Sequence, residues 1–204
     1  MIRVSVLRSV VLAWILALLA TATASAEAQA KGFLGVTFGG HTTFFDPEKA
    51  SGKSNPAVGA SVTWLGQVFG VEGEISYGPG FFQRGQQKLV VDSSVLSGTA
   101  SFVVAVPRKY SGYGLRPYAV AGGGFMHVAL GQKVSALTVS KTLTAVSFGG
   151  GVTGFVTNRA GVSWDVRYFR GTGGPPAGVS FGTEKLSYWR ISMGVAVRLG
   201  KVRP

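Results

Sequence analysis

From residue 33 onward the chain alternates with a period of two, and its two alternating sets differ in an unusual way. Val58, Ala60, Val62 and Trp64 are interleaved with Gly59, Ser61 and Thr63. Phe69, Val71, Ile75 and Tyr77 are interleaved with Gly70, Glu72, Glu74 and Ser76. Val162, Trp164, Val166 and Tyr168 are interleaved with Ser163, Asp165 and Arg167. A period of two is the mark of a β-strand with two different faces. Helical spacing persists nowhere, and 31 glycines are too many for a helical protein. Eight such segments are predicted, at about 33–44, 57–65, 69–77, 95–106, 116–130, 143–156, 161–170 and 188–199. The fifth and sixth are Gly-rich, with Tyr118, Val120 and Met126 on one face and Val146, Phe148 and Val152 on another.

The small face decides the solvent. A soluble sandwich or closed barrel would turn its bulky side inward and coat its outside with Lys and Glu. Here charged residues are only 14% of the chain, and the second face is mostly Gly, Ser and Thr. A small barrel in lipid resolves this, with bulky residues outward and small or charged ones inside. The expected fold is therefore all-β: an eight-stranded antiparallel up-and-down transmembrane β-barrel. Its connections alternate in length. Gly66-Gln67, Pro107–Leu115 and Thr157–Ala160 are the shorter joins, and those after strands one, three, five and seven are longer and polar or Gly-rich. Short periplasmic turns and long outer loops are the usual pattern. An aromatic girdle is expected from Trp64, Phe69 and Tyr118 at the periplasmic edge and from Tyr77, Tyr168 and Trp189 at the outer edge.

The N-terminus has the layout of an export signal: Arg3 and Arg8, an apolar run from Val10 to Ala20, then Ala24-Ser25-Ala26 and Ala28-Gln29-Ala30. The run is too short to span a bilayer as a helix. The chain is divided as a signal peptide over 1–26, with cleavage as late as 30, and a barrel domain over 27–204.

The net charge of +12 raises the question of nucleic acid, but the basic residues are scattered and the largest cluster is Arg108-Lys109, so no nucleic-acid partner is expected. Lys49, Lys53, Arg84, Lys88, Lys133, Lys141, Arg170 and Lys185 are assigned to long loops or their edges. Lys31, Arg108, Lys109, Arg116, Arg159, Lys201 and Arg203 are assigned to short turns or termini. Glu72, Glu74, Asp165, Arg167, Arg190 and Arg198 fall on inward positions, an expected lumen ion-pair network of three acids and three bases. A balanced set favours a packed plug; the sharper alternative is an ion path or a proton-sensitive gate.

These segments resemble the outer-membrane β-barrel family that includes the small eight-stranded enterobacterial barrels. Arg116-Pro117-Tyr118-Ala119-Val120-Ala121-Gly122-Gly123-Gly124 is similar to that family's fifth strand, and Val162–Tyr168 to its seventh. The last strand, with Ser192, Gly194, Val197 and Leu199, looks like the C-terminal assembly signal, although a Gly200–Pro204 tail follows where an aromatic end is usual. The resemblance implies a monomer in the cell outer membrane of a Gram-negative-type bacterium. Its implied partners are outer-membrane lipids, lipopolysaccharide and the barrel-assembly machinery, with an extracellular ligand through the long loops.

Barrel deacylases of this architecture place His and Ser two apart on one face. Here His127 is followed by Ala129 and His41 by Thr43, so no enzyme is expected. Gly122–Gly124 and Gly149–Gly151 do not precede a helix or a Gly-Lys-Ser/Thr sequence, and so are assigned to close packing or strand bending. With no Cys and only two His, neither a cofactor nor a metal site is expected. The predicted role is structural or surface-interacting. The alternatives are a narrow passive channel or porin, and a soluble periplasmic or secreted barrel that binds an apolar ligand.

Overall fold

The computed structural model describes residues 27–42, 54–80, 90–111, 114–132, 139–172 and 185–199. The leader over 1–26 lies outside these, as do Asp46, Glu48, Lys49, Lys53, Arg84, Lys88, Lys133, Glu184, Lys201 and Arg203.

The strands are β1 (Glu27–Thr42), β2 (Asn55–Leu65), β3 (Phe69–Pro79), β4 (Val90–Ala105), β5 (Leu115–Gln132), β6 (Val139–Phe155), β7 (Ala160–Thr172) and β8 (Lys185–Leu199). Each pairs antiparallel with its sequence neighbours, and β8 closes on β1 into a barrel. Closure leaves no strand edge, which is what a chain in hydrocarbon needs, because no water is there to satisfy an unpaired N–H or C=O.

Burial follows the alternation. Every strand sends large apolar side chains outward. Leu34 is 70% exposed, and Trp64, Ile75, Phe102, Phe125, Phe148, Trp164 and Met193 continue the band around the barrel. An apolar girdle of this extent far exceeds the patches that soluble monomers carry. The soluble-barrel alternative required the opposite placement of faces and is set aside.

The strands are longer than the alternation alone predicts. β1 starts at Glu27, which pairs with Leu65, rather than near Phe33. β5 and β6 extend until only 133–138 separates them. The bulge in β1 between Phe38 and His41 falls on Gly39, whose φ of 61° is a left-handed value that glycine adopts without strain.

The glycine clusters sit where β5, β6 and β7 crowd one another. A Cβ on the inward Gly151 would lie 2.7 Å from Asp165 Cβ and 2.8 Å from the Tyr118 hydroxyl. An outward Cβ on Gly73 would meet nothing within 4 Å. Gly151→Ala is therefore expected to destabilise the folded barrel by about 1–3 kcal/mol, whereas Gly73→Ala is neutral. The urea midpoint of the heat-modifiable band in lipid vesicles reads both; equal midpoints for the two variants would contradict the packing described.

Candidate functional site

The barrel interior is stratified. Nearest the short-turn end, Leu65, Val103, Ala105 and Val120 form an apolar layer, with Tyr118 packed against it. Toward the outer end, Val95, Met126, Val128, Leu143, Ala145, Phe169, Leu186 and Tyr188 form a second. Between them lies a belt of charges. The interior is thus not filled by small and charged residues alone, as the alternation suggested.

The belt is built from facing strands. Arg167 Nη1 on β7 lies 2.5 Å from Glu72 Oε1 and 3.1 Å from Glu74 Oε2, both on β3. Arg190 on β8 grips Glu74 as a fork, with Nη1 2.8 Å from Oε1 and Nη2 donating to Oε2 at 2.9 Å. Lys31 Nζ on β1 donates to Asp165 Oδ2 at 2.7 Å and lies 4.0 Å from Glu72. Asp165 also accepts from Ser192 Oγ at 2.7 Å and from the Tyr118 hydroxyl at 3.3 Å. Thr63 Oγ1 donates to Glu72 at 3.1 Å. Both guanidiniums are fully buried. Arg190 also stacks over Phe33 and Phe169, 4.4 and 5.0 Å from their ring centroids, which ties the belt to the outer apolar layer.

Of the six residues expected to form this network, the structure brings together Glu72, Glu74, Asp165, Arg167 and Arg190. Two placements are corrected. Arg198 faces inward but sits at the mouth. It pairs there with Glu27, donates to the Asn158 carbonyl at 3.0 Å and covers the Phe155 ring at 3.6 Å. Its place in the belt is taken by Lys31, expected on a short turn or terminus, so the belt still has three acids against three bases. Tyr118, expected in the girdle, points into the barrel, because its position on β5 shares parity with Arg116 and Val120.

The mouth holds two residues that sequence reasoning placed only on a turn or left unassigned. Arg116 is buried inside and donates to the Val106, Gly66 and Gln67 carbonyls at 3.1, 2.7 and 2.7 Å. Glu27 pairs with both Arg108 and Arg198. β4 stands three places round the ring from β1, so the contact of Arg108 with Glu27 carries the β4–β5 connection, with its 3-10 turn at Arg108–Tyr110, over the opening. Between this closure and the belt remains a cavity of about 30 Å³, lined by Gln29, Lys31, Glu72, Arg116 and Tyr118 among others. That is room for a water molecule or two, not for a ligand.

On the outer wall, Tyr168 packs with Phe148 and Trp189 at 5.1 and 5.0 Å between centroids. Arg170 is exposed just beyond them on β7, at the edge of the long connection that follows. Trp64, Phe69 and Tyr77 also face outward. Ser192 and Gly194 face inward, while Val197 and Leu199 face outward. His127 finds a hydroxyl across the strand pair rather than along it: Nδ1 lies 2.9 Å from Thr142 Oγ1. Among the described residues no group of His, Asp and Glu could hold a metal ion.

A closed antiparallel eight-stranded barrel with an apolar outer girdle and a charged belt inside defines an outer-membrane β-barrel protein. The chain belongs to the outer membrane protein β-barrel domain family, whose model matches residues 15–198. No curated protein matches it. Similar solved structures include neisserial surface protein A, at 12% identity and a TM-score of 0.60, covering 85% of this chain and 97% of that one. OprG from Pseudomonas aeruginosa is 14% identical with a TM-score of 0.58, covering 87% and 97%. Ail from Yersinia pestis, solved with the heparin analogue sucrose octasulfate, is 13% identical with a TM-score of 0.52, covering 84% and 99%. At these identities the likeness is one of fold.

Neutrality of the belt sets its mutational response. Lys31→Met leaves the belt one negative charge in excess and is expected to cost about 3–5 kcal/mol. Adding Asp165→Asn restores the balance, so the double variant is expected to be more stable than the single one. Urea titration of the folded band in vesicles measures both, and a double variant weaker than Lys31→Met would refute charge balance as the governing term.

Proposed function

We propose that the protein is a non-enzymatic, non-conducting barrel that acts in the outer membrane as a structural and surface-interacting element. The observation that carries this reading is the stratified interior. Ions crossing the barrel would have to part Arg167 and Arg190 from Glu72 and Glu74, and to pass the apolar clusters packed on either side of them. With the interior committed to packing, the outer connections are the surfaces left for recognition.

In planar bilayers the purified protein is expected to give no discrete openings at any applied voltage. Stepwise conductance that changes with Glu72→Gln or Arg190→Gln would establish the channel alternative instead.

The outer connections and the strand ends that flank them carry Lys49, Lys53, Arg84, Lys88, Lys133, Lys141, Arg170 and Lys185 against Asp46, Glu48, Asp92 and Glu184. This basic excess suits the phosphates of lipopolysaccharide or an anionic extracellular ligand. Ail, of the same fold, was solved with a sulfated sugar analogue. Lys→Gln changes at Lys49, Lys53, Lys133 and Lys185 together are expected to weaken lipopolysaccharide binding several-fold at low salt. Unchanged binding would remove this ligand class. We read the last strand, through Ser192, Gly194, Val197 and Leu199, as the segment that the assembly machinery recognises, and the barrel as a monomer. Loss of outer-membrane recovery on Leu199→Asp, with refolding from urea unimpaired, would separate recognition from stability.

A further inference from the structure

The short-turn end carries its own surface. The Glu27 carboxylate holds the β4–β5 connection through Arg108 and the end of β8 through Arg198. Arg198 in turn holds the β6–β7 turn, donating its backbone N–H to the Arg159 carbonyl at 2.9 Å and its side chain to Asn158. The two turns and both ends of the described chain therefore form one continuous surface. Among the described residues Glu27 is its only acid, and it is already engaged. Lys109 and Arg159 are exposed, with no carboxylate partner among the described residues; Lys109 Nζ lies 4.7 Å from the Tyr110 ring centroid.

The same surface bears apolar tips where a water-facing turn would be polar. Val156, in the β6–β7 turn, is 81% exposed, and Tyr110, beside Lys109, is 70% exposed. Apolar tips level with unpaired cations suit the boundary between acyl chains and headgroups, where rings and methyls enter the chains and cations stay at the phosphates. The charges are crowded as well. Partial burial and the neighbouring Arg198 push the Arg108 guanidinium below its ordinary value, so an added anion at this corner relieves repulsion.

We infer that this end of the barrel is a docking surface for anionic phospholipid headgroups of the inner leaflet, held by Lys109 and Arg159 and anchored by Tyr110 and Val156. The occupant is a lipid rather than a soluble anion because the cations are flanked by exposed apolar side chains. The inference goes beyond the role given to the outer connections and rests on the short turns facing the periplasm.

The test uses the full chain, folded in detergent micelles and titrated with phosphatidylglycerol or phosphatidylcholine, with bound lipid counted by native mass spectrometry. The wild type is expected to prefer phosphatidylglycerol, and that preference is expected to fall as ionic strength rises. Lys109→Gln with Arg159→Gln should reduce the preference by about tenfold, while both proteins keep the heat-modifiable gel shift that reports folding. Lys→Gln changes at Lys49, Lys53, Lys133 and Lys185 should leave it intact. The inference is overturned if the Lys109/Arg159 variant keeps the wild-type preference, or if the wild type shows none. It is equally overturned if the preference follows the outer-loop lysines, or if the cations serve only to retain the protein on peptidoglycan sacculi.

Discussion

An eight-stranded barrel encloses a space just wide enough for its own side chains, so whatever points inward must fill that space and balance its own charge. The arrangement of this protein follows from that constraint. Three acids and three bases meet at one level, drawn from β1, β3, β7 and β8. Only β7, with Asp165 and Arg167, balances itself; β3 brings two acids, and β1 and β8 bring one base each. The belt forms only when the ring has closed, because β8 must reach β1 before Arg190 and Lys31 stand on the same side of the interior. It is therefore a reporter of correct closure as well as a filling.

The belt needs walls. Charges in a narrow low-dielectric space attract strongly only when water is kept from them. The apolar clusters above and below limit the water beside the belt to a cavity that holds a molecule or two, and the stack of Phe169 on Tyr188, 5.0 Å between centroids, lies directly against Arg190. At the short-turn end exclusion is achieved with polar groups. Arg116 spends its donors on three backbone carbonyls of two different turns, and so fastens the ends of β2–β3 and β4–β5 together across the opening. The length of the β4–β5 connection, which breaks the pattern of tight turns, follows from its path over the mouth to Glu27.

Most of this architecture is legible in the sequence because lipid imposes a two-sided contrast on every strand. Leu34, Ile75, Phe102 and Met193 could only face outward, and the inward parity of Glu72, Glu74, Asp165, Arg167 and Arg190 follows from theirs. What the alternation did not reveal has physical causes. Lys31 and Gln29 lie on the inward parity of β1, but Ala28 and Ala30 are too small to mark an outward face, so the alternation is readable only from Phe33. In β5 the run from Ala119 to Gly124 has little contrast, and Tyr118 had nothing to fix its side. Val95, Val103, Leu143 and Phe169 are apolar on the inner face, which a binary polar-inside rule cannot predict. Their role becomes visible only when the height of each residue along the barrel is known. Ionic contacts at the mouth depend on the path of a turn, and turns carry no period.

A closed interior shifts the meaning of the two ends. In a pore the ends are entrances, and their charges select what passes. In the non-conducting barrel proposed above, the charges at both ends would act on what lies against them, such as lipid headgroups or lipopolysaccharide. The outer end has its basic excess on the long connections and the strand ends beside them. The short-turn end presents Lys109 and Arg159 on connections braced by Glu27 and Arg198. Bracing favours recognition of something uniform and always present, because a rigid pair of cations gains little from a partner that varies in shape. A leaflet of phospholipid is such a partner, and it lies at the level where the aromatic and aliphatic tips of these turns are already placed.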